Sequence, residues 1–211
     1  MTRTSTTALL ALHAVRISGF ADTPVLAGRF GLDPTETSEV LKDAEAHGWV
    51  VRTGFAGIEG WSLTDAGRQE NERQLAAQLD LTGRRDEVRA VHREFLPLNA
   101  RLRQACTHWQ LRPAPGDRLA TNDHADPAWD ADVLAELAAV DRALAPLARR
   151  LGAVLERFTG YGTRFTTALH RAEAGGHGWV DGGDVDSCHR VWFELHEDLV
   201  ATLGIQRGAG T

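Results

Sequence analysis

Cysteine is nearly missing from this sequence, with two residues in 211, Cys106 and Cys188. They form no CxxC pair, which excludes a disulfide framework or a zinc ribbon and leaves both as small buried apolar side chains. Cations are scarce as well. The chain has 23 Lys and Arg against 29 Asp and Glu, a formal net charge of −6, which works against strong non-specific attraction to a polyanion. Long apolar runs do not occur. The N-terminal stretch MTRTSTTALLALHAVR is cut at Arg16, far short of the roughly 20 residues a membrane span needs, so the expectation is a cytoplasmic protein without a membrane partner. A phosphate-cradling glycine loop, a serine-hydrolase elbow and an HExxH pair are all missing. No catalytic residue, cofactor or metal site is therefore expected, and no enzyme activity.

What is present is helical punctuation. Apolar positions Leu9, Leu10, Leu12 and Val15, with His13 among them, suit a helix from Thr6 to Val15 that Ser18-Gly19-Phe20 ends. Thr23-Pro24 reads as a cap followed by a first-turn proline. Asp33-Pro34-Thr35-Glu36 opens the next helix with a capping-box arrangement, and that helix buries Val40, Leu41 and Ala44. Trp49 to Thr53 reads as a strand, Gly54 to Gly60 as a glycine-rich tip and Trp61-Ser62-Leu63 as the returning strand. Thr64 then caps a helix with Asp65 in its first turn, where a negative charge suits the helix dipole.

Helix, helix, tight turn, helix, hairpin, helix is the winged helix-turn-helix order. Leu32-Asp33-Pro34, His47-Gly48-Trp49-Val50 and above all Trp61-Ser62-Leu63-Thr64-Asp65-Ala66-Gly67-Arg68 resemble the MarR and PadR type of bacterial winged-helix transcriptional regulators over the first third of the chain. The resemblance implies a mainly α fold: a winged helix-turn-helix domain with a small β-hairpin wing at residues 1–82, then a helical-bundle domain at 83–211 for dimerisation or effector binding. It also implies double-stranded DNA as a partner. The third helix would enter the major groove and the wing would reach the backbone or minor groove, making Thr35, Thr37, Ser38, Lys42 and Arg52 the expected DNA-contacting residues.

Charge opposes that expectation. Residues 1–80 carry seven basic against eleven acidic residues, whereas phosphate contacts draw most of their affinity from cations. Hydroxyls and N-terminal backbone amides can still grip phosphate. The alternative is a winged-helix protein-interaction module with an acidic, solvated face.

Beyond Gly83 the spacing of Val88, Val91, Phe95, Leu98, Leu102 and Trp109 predicts a long helix, with Pro97 off the stripe as a kink. A loop runs from Arg112 to Pro127. A second stripe from Leu137 to Phe158 predicts another long helix, Arg164 to Ala172 a short one, and Asp184 to Leu203 the last, with a flexible tail after Gly204. Matching stripes suit packing within the chain or against a second copy, so a homodimer is expected. In the last helix Val185, Cys188, Trp192, Leu195 and Leu199 form one apolar stripe and His189, Phe193, His196 and Val200 its neighbour, while Arg190, Glu194, Glu197 and Asp198 are expected to face out. His189 and His196 stand roughly 10 Å apart along the axis, too far to share a metal.

Large aromatics near a few polar groups are the makings of a small-molecule pocket and equally of an ordinary core. The candidate effector-binding residues are Trp109, Arg112, His124, His189 and Trp192, with His124 able to meet His189. Arg101, Arg103 and Arg112 could neutralise an anionic effector or lie on solvated helix faces. Phe95 to Asn99, Cys106 to Gln110 and Val191 to Leu199 also look like the C-terminal part of uncharacterised actinobacterial regulators, a likeness that names no effector.

Overall fold

A computed structural model describes residues 2–55 and 57–205. The chain is mainly helical with one two-stranded antiparallel sheet. Its elements are α1 (Thr7–Ser18), α2 (Thr23–Phe30), α3 (Pro34–Ala46), β1 (Val50–Phe55), β2 (Ile58–Leu63), α4 (Asp65–Thr82), α5 (Arg85–Gln110), α6 (Pro127–Gly152), α7 (Tyr161–Glu173), α8 (Gly178–Asp181) and α9 (Cys188–Leu203), with a 3-10 turn at Glu156–Phe158. Two compact units divide it. The first gathers the described residues of Met1–Val88, Ala153–Arg157 and His196–Thr211, and the second Arg89–Gly152 and Phe158–Leu195. A simple division near residue 82 therefore differs from the packing: two later segments join the first unit. The tail expected after Gly204 lies almost wholly outside the described residues.

In the first unit the caps follow from side-chain chemistry. Asp33 Oδ1 accepts the Glu36 amide at 2.8 Å and opens α3 behind Pro34. For α2 the cap is Asp22, which accepts the Val25 amide at 2.9 Å, rather than Thr23. The Thr23 hydroxyl is engaged elsewhere, accepting the Trp61 indole N–H at 3.0 Å. The strands are longer than the alternation suggested. Pairing runs from Val50↔Leu63 to Phe55↔Ile58, so most of the expected glycine-rich tip is strand, and Gly57 has φ 82°. Ala21 adds an antiparallel bridge to Trp61, whose amide donates to the Ala21 carbonyl at 2.9 Å. Beneath the sheet Leu12, Val15, Leu26, Leu41, Ala44, Val50 and Trp61 form one core cluster, and Leu9, Leu75 and Ala201 a second.

The junction into α4 is the tightest place in this unit. Thr64 Oγ1 accepts the Gly67 amide at 3.0 Å and donates to the Gly48 carbonyl at 2.6 Å. Its own amide donates to the Trp49 carbonyl at 3.0 Å. A Cβ on Gly67 would sit 1.8 Å from that Trp49 oxygen, so only glycine lets the helix approach the strand so closely.

The second unit is built on its portion of α5 with α6, α7, α8 and the first half of α9. Helix α5 is continuous through Pro97. Trp192 lies buried at its centre, stacked on Phe95 at 4.5 Å between ring centroids and edge-on to Phe165 at 5.8 Å. The indole N–H donates to Asn99 Oδ1 at 2.9 Å. On α6 Leu137, Val140, Leu144, Leu147 and Leu151 are buried, as the stripe predicts, but the helix ends at Gly152, so Val154 and Phe158, expected to continue it, lie beyond it. Cys106 and Cys188 are free thiols in this core. Burial pushes both up to about 12, with Asp181 adding to the effect at Cys106, and Cys106 and Asp141 at Cys188. A thiol-specific reagent at neutral pH should therefore modify the native protein about a thousandfold more slowly than the unfolded chain, since the thiolate is the nucleophile. Rapid native labelling of either cysteine would contradict that environment.

Candidate functional site

In the first unit the outward face of α3 carries Thr35, Glu36, Glu39, Lys42 and Asp43 exposed and Ser38 half-buried. Thr37 is not on it. Its side chain is fully buried and its hydroxyl donates to the Asp33 carbonyl at 2.8 Å, so the expectation of a DNA contact there is corrected: the i to i−4 bond turns this threonine inward. Lys42 Nζ lies 2.8 Å from Glu39 Oε1 one turn back. Arg52 on β1 pairs with Glu59 on β2, and its guanidinium sits 5.8 Å from the Trp61 ring centroid. Each cation of the face is thus answered by a carboxylate. Exposed pairs of this kind contribute little, about 0–1 kcal/mol, so a phosphate can displace the carboxylate at small cost.

The same unit hides a polar cluster that includes two carboxylates expected on the surface. Glu197 and Asp198 are buried, not outward-facing. Asp198 Oδ1 lies 3.1 Å from His13 Nε2 on α1, accepts from Arg157 Nε at 3.2 Å and accepts from the Thr202 hydroxyl at 3.0 Å. Arg157 also donates to Gln78 Oε1 at 2.6 Å and Thr202 Oγ1 at 2.5 Å. His13 Nδ1 is 3.2 Å from Asn71 Oδ1 on α4. Beside this group Arg16 donates to Glu197 at 2.7 Å and to Glu72 at 2.8 Å. Burial alone would raise the Asp198 carboxyl, but the charges of His13 and Arg157 outweigh it and hold the group down to about 2. The signal in the sequence was the interruption of an apolar arc, Leu195 to Val200, by two adjacent carboxylates.

In the second unit Glu194, also expected outside, is buried and holds Arg164 at 2.6 Å. Of the expected effector residues, Trp109 and His124 meet, with ring centroids 4.5 Å apart. The histidine neighbour of His124 is His177, at 4.4 Å, and not His189. His124 is clamped in the left-handed region at φ 58°. Its amide donates to Asn122 Oδ1 at 3.2 Å and its Nδ1 lies 2.9 Å from Asp130 Oδ2. Arg112 pairs with Asp126. Trp192 is a core residue, 2% exposed, with Phe95 stacked on its ring and Phe165 edge-on beside it. His189 is exposed and lines a separate cavity of 560 Å³ with Cys106 and Thr107. A cavity of 730 Å³ lies along Ala145, Ala148, Phe158, Thr163 and Thr166, and one of 380 Å³ beside Trp129 and His108. The five residues therefore do not converge on one pocket.

Among the described residues no three or more His, Cys, Asp or Glu are grouped to hold a metal, and no helix is long and apolar enough to cross a membrane. Comparison with protein-family models, curated proteins and solved structures gives no match.

Proposed function

We propose that this chain is a transcriptional regulator that binds double-stranded DNA as a homodimer through a winged helix-turn-helix head, without catalysing a reaction, and that an effector bound in its second unit tunes that binding. One observation carries the reading. Helix α3 follows α2 across a tight turn at Gly31 (φ 64°), buries Leu41 and Ala44, and leaves Thr35, Ser38 and Lys42 toward solvent, while Arg52 stands on the adjoining hairpin. That is the disposition a groove-reading helix and a backbone-touching wing require. The exact fit of Thr64 and Gly67 against Gly48 and Trp49 gives the resemblance at Trp61–Arg68 a physical basis. Two heads on a symmetric dimer would supply the reach to successive half-sites that one acidic head lacks.

With two cations at each face, the salt dependence should be shallow. Log K against log salt falls by about 0.9 per phosphate neutralised, and Lys42→Ala or Arg52→Ala should each remove roughly one such unit and weaken binding across all sequences alike. Fluorescence anisotropy with the DNA upstream of its own coding sequence, at low and moderate salt, measures both. The carboxylates Glu39 and Glu59 seated on those cations favour a second reading, an acidic protein-interaction face. Absence of any shift at low salt would sink DNA binding and leave that reading standing.

A further inference from the structure

The cavity of 380 Å³ in the second unit has a chemistry of its own. Its floor is apolar, from buried Ala105 and Val133, and one wall is Trp129. The Trp129 indole N–H donates to the His108 carbonyl at 2.7 Å. The ring is thus pinned by its edge with its one donor consumed, and what it can offer a ligand is its π surface. Among the lining residues Arg101 is the one permanent cation, and Glu136 already holds it at 2.6 Å. Asp132, exposed on the rim, has no ion-pair partner among the described residues. With Arg101 and Glu136 cancelling, the cavity keeps one negative charge beside an aromatic wall.

We propose that this cavity binds a small organic cation, an ammonium group carrying an apolar or aromatic body. The cation is drawn to the quadrupole of the Trp129 ring and to Asp132, and the body covers Ala105 and Val133. Trp129 is half-buried and Asp132 exposed, so the ring meets a partly hydrated cation, for which the attraction of an aromatic face is modest and the charge of Asp132 adds to it. The volume lies near the lower end of small-molecule sites, roughly 300–1,000 Å³, and suits a ligand of one ring. An anion would have to displace Glu136 from Arg101 and would still meet the charge of Asp132. The site deepens the effector part of the function proposed above, but its binding is measured without DNA and so stands or falls separately.

Calorimetry on the full chain with phenyltrimethylammonium, against benzyl alcohol as the neutral probe and benzoate as the anionic one, tests it. Expected is saturable binding of the cation alone, weakened about two- to fivefold by Trp129→Leu, the worth of a partly exposed cation–π contact, and several-fold by Asp132→Asn. Asp132 is exposed, so its variant keeps the fold. Equal binding of benzyl alcohol, preference for benzoate, no binding of the cation at millimolar concentration, or affinity unchanged in Asp132→Asn would each overturn the proposal.

Discussion

Asp198→Ala is expected to lower the unfolding free energy by about 3–5 kcal/mol, the usual consequence of removing one partner from a buried ion pair. The loss is large because Arg157 and His13 stay behind without their counter-charge: His13 and Asp198 are 0% exposed and Arg157 5%. Set against a typical domain stability of about 5–15 kcal/mol, such a change brings the chain close to unfolding. Asp198→Asn, which keeps an acceptor for Thr202, should cost less. Arg157→Ala combined with Asp198→Ala should cost less than the two single changes added, because the second deletion removes the orphaned charge that the first creates. Urea denaturation followed by fluorescence measures all four proteins. Additive losses, or a loss under 1 kcal/mol for the single alanine variant, would mean the cluster is not coupled as drawn.

The same carboxylate sets an acid limit. Its native value near 2 lies below its ordinary 3.8, so the unfolded chain binds a proton more readily than the folded one. The stabilisation is fully present above pH 3.8 and is lost as pH falls through about 2. It amounts to about 2 kcal/mol by linkage. The difference in stability between the native chain and Asp198→Asn should accordingly shrink over that window. A difference that stays constant would place the cause of the loss elsewhere than in the charge.

Gly67→Ala should be the second costly change, although alanine is ordinarily the better helix former by about 1 kcal/mol. The new methyl would press on the Trp49 carbonyl, which cannot yield freely because it also accepts the Thr64 amide at 3.0 Å. Relief requires α4 to move off the strand, loosening the Thr64 cap and its bond to Gly48. Overpacking costs roughly 1–3 kcal/mol and a lost cap about 1 kcal/mol, so a net destabilisation of about 3 kcal/mol is expected, seen as a lower urea midpoint. Thr64→Ala should show the cap contribution alone. A Gly67→Ala protein as stable as its parent would show that the approach of helix to strand is not as close as 1.8 Å implies.

Local chemistry was legible in the sequence and long-range chemistry was not. The Asp33 and Thr64 caps, the apolar stripe of α6 and the outline of the hairpin depend on residues within a few positions of one another, and they stand where the periodicity placed them. The cap of α2 is Asp22 and not the expected Thr23, whose hydroxyl accepts from Trp61, 38 residues away. Glu194, Glu197 and Asp198 read as solvent-facing on charge alone. Their counterions come from Arg164, from Arg16 and from His13 and Arg157, and helical spacing within α9 carries no information about those positions. Thr37 read as a phosphate grip because its hydroxyl is polar, yet that hydroxyl is satisfied by its own helix. The pairing of His124 with His177 instead of His189 depends on loop geometry, including a non-glycine residue at φ 58°.

Because Ala153–Arg157 and the described residues from His196 onward pack with the first 88 residues, this head is not a cassette. On the ribosome its N-terminal helices emerge early but cannot complete their interior until Asp198 and Thr202 have been synthesised, well over a hundred residues later. In that interval His13 has no carboxylate to meet, and the half-built unit holds polar groups whose partners are still to come. Grafting residues 1–82 onto another protein would transplant the outer surface and leave its electrostatic keystone behind.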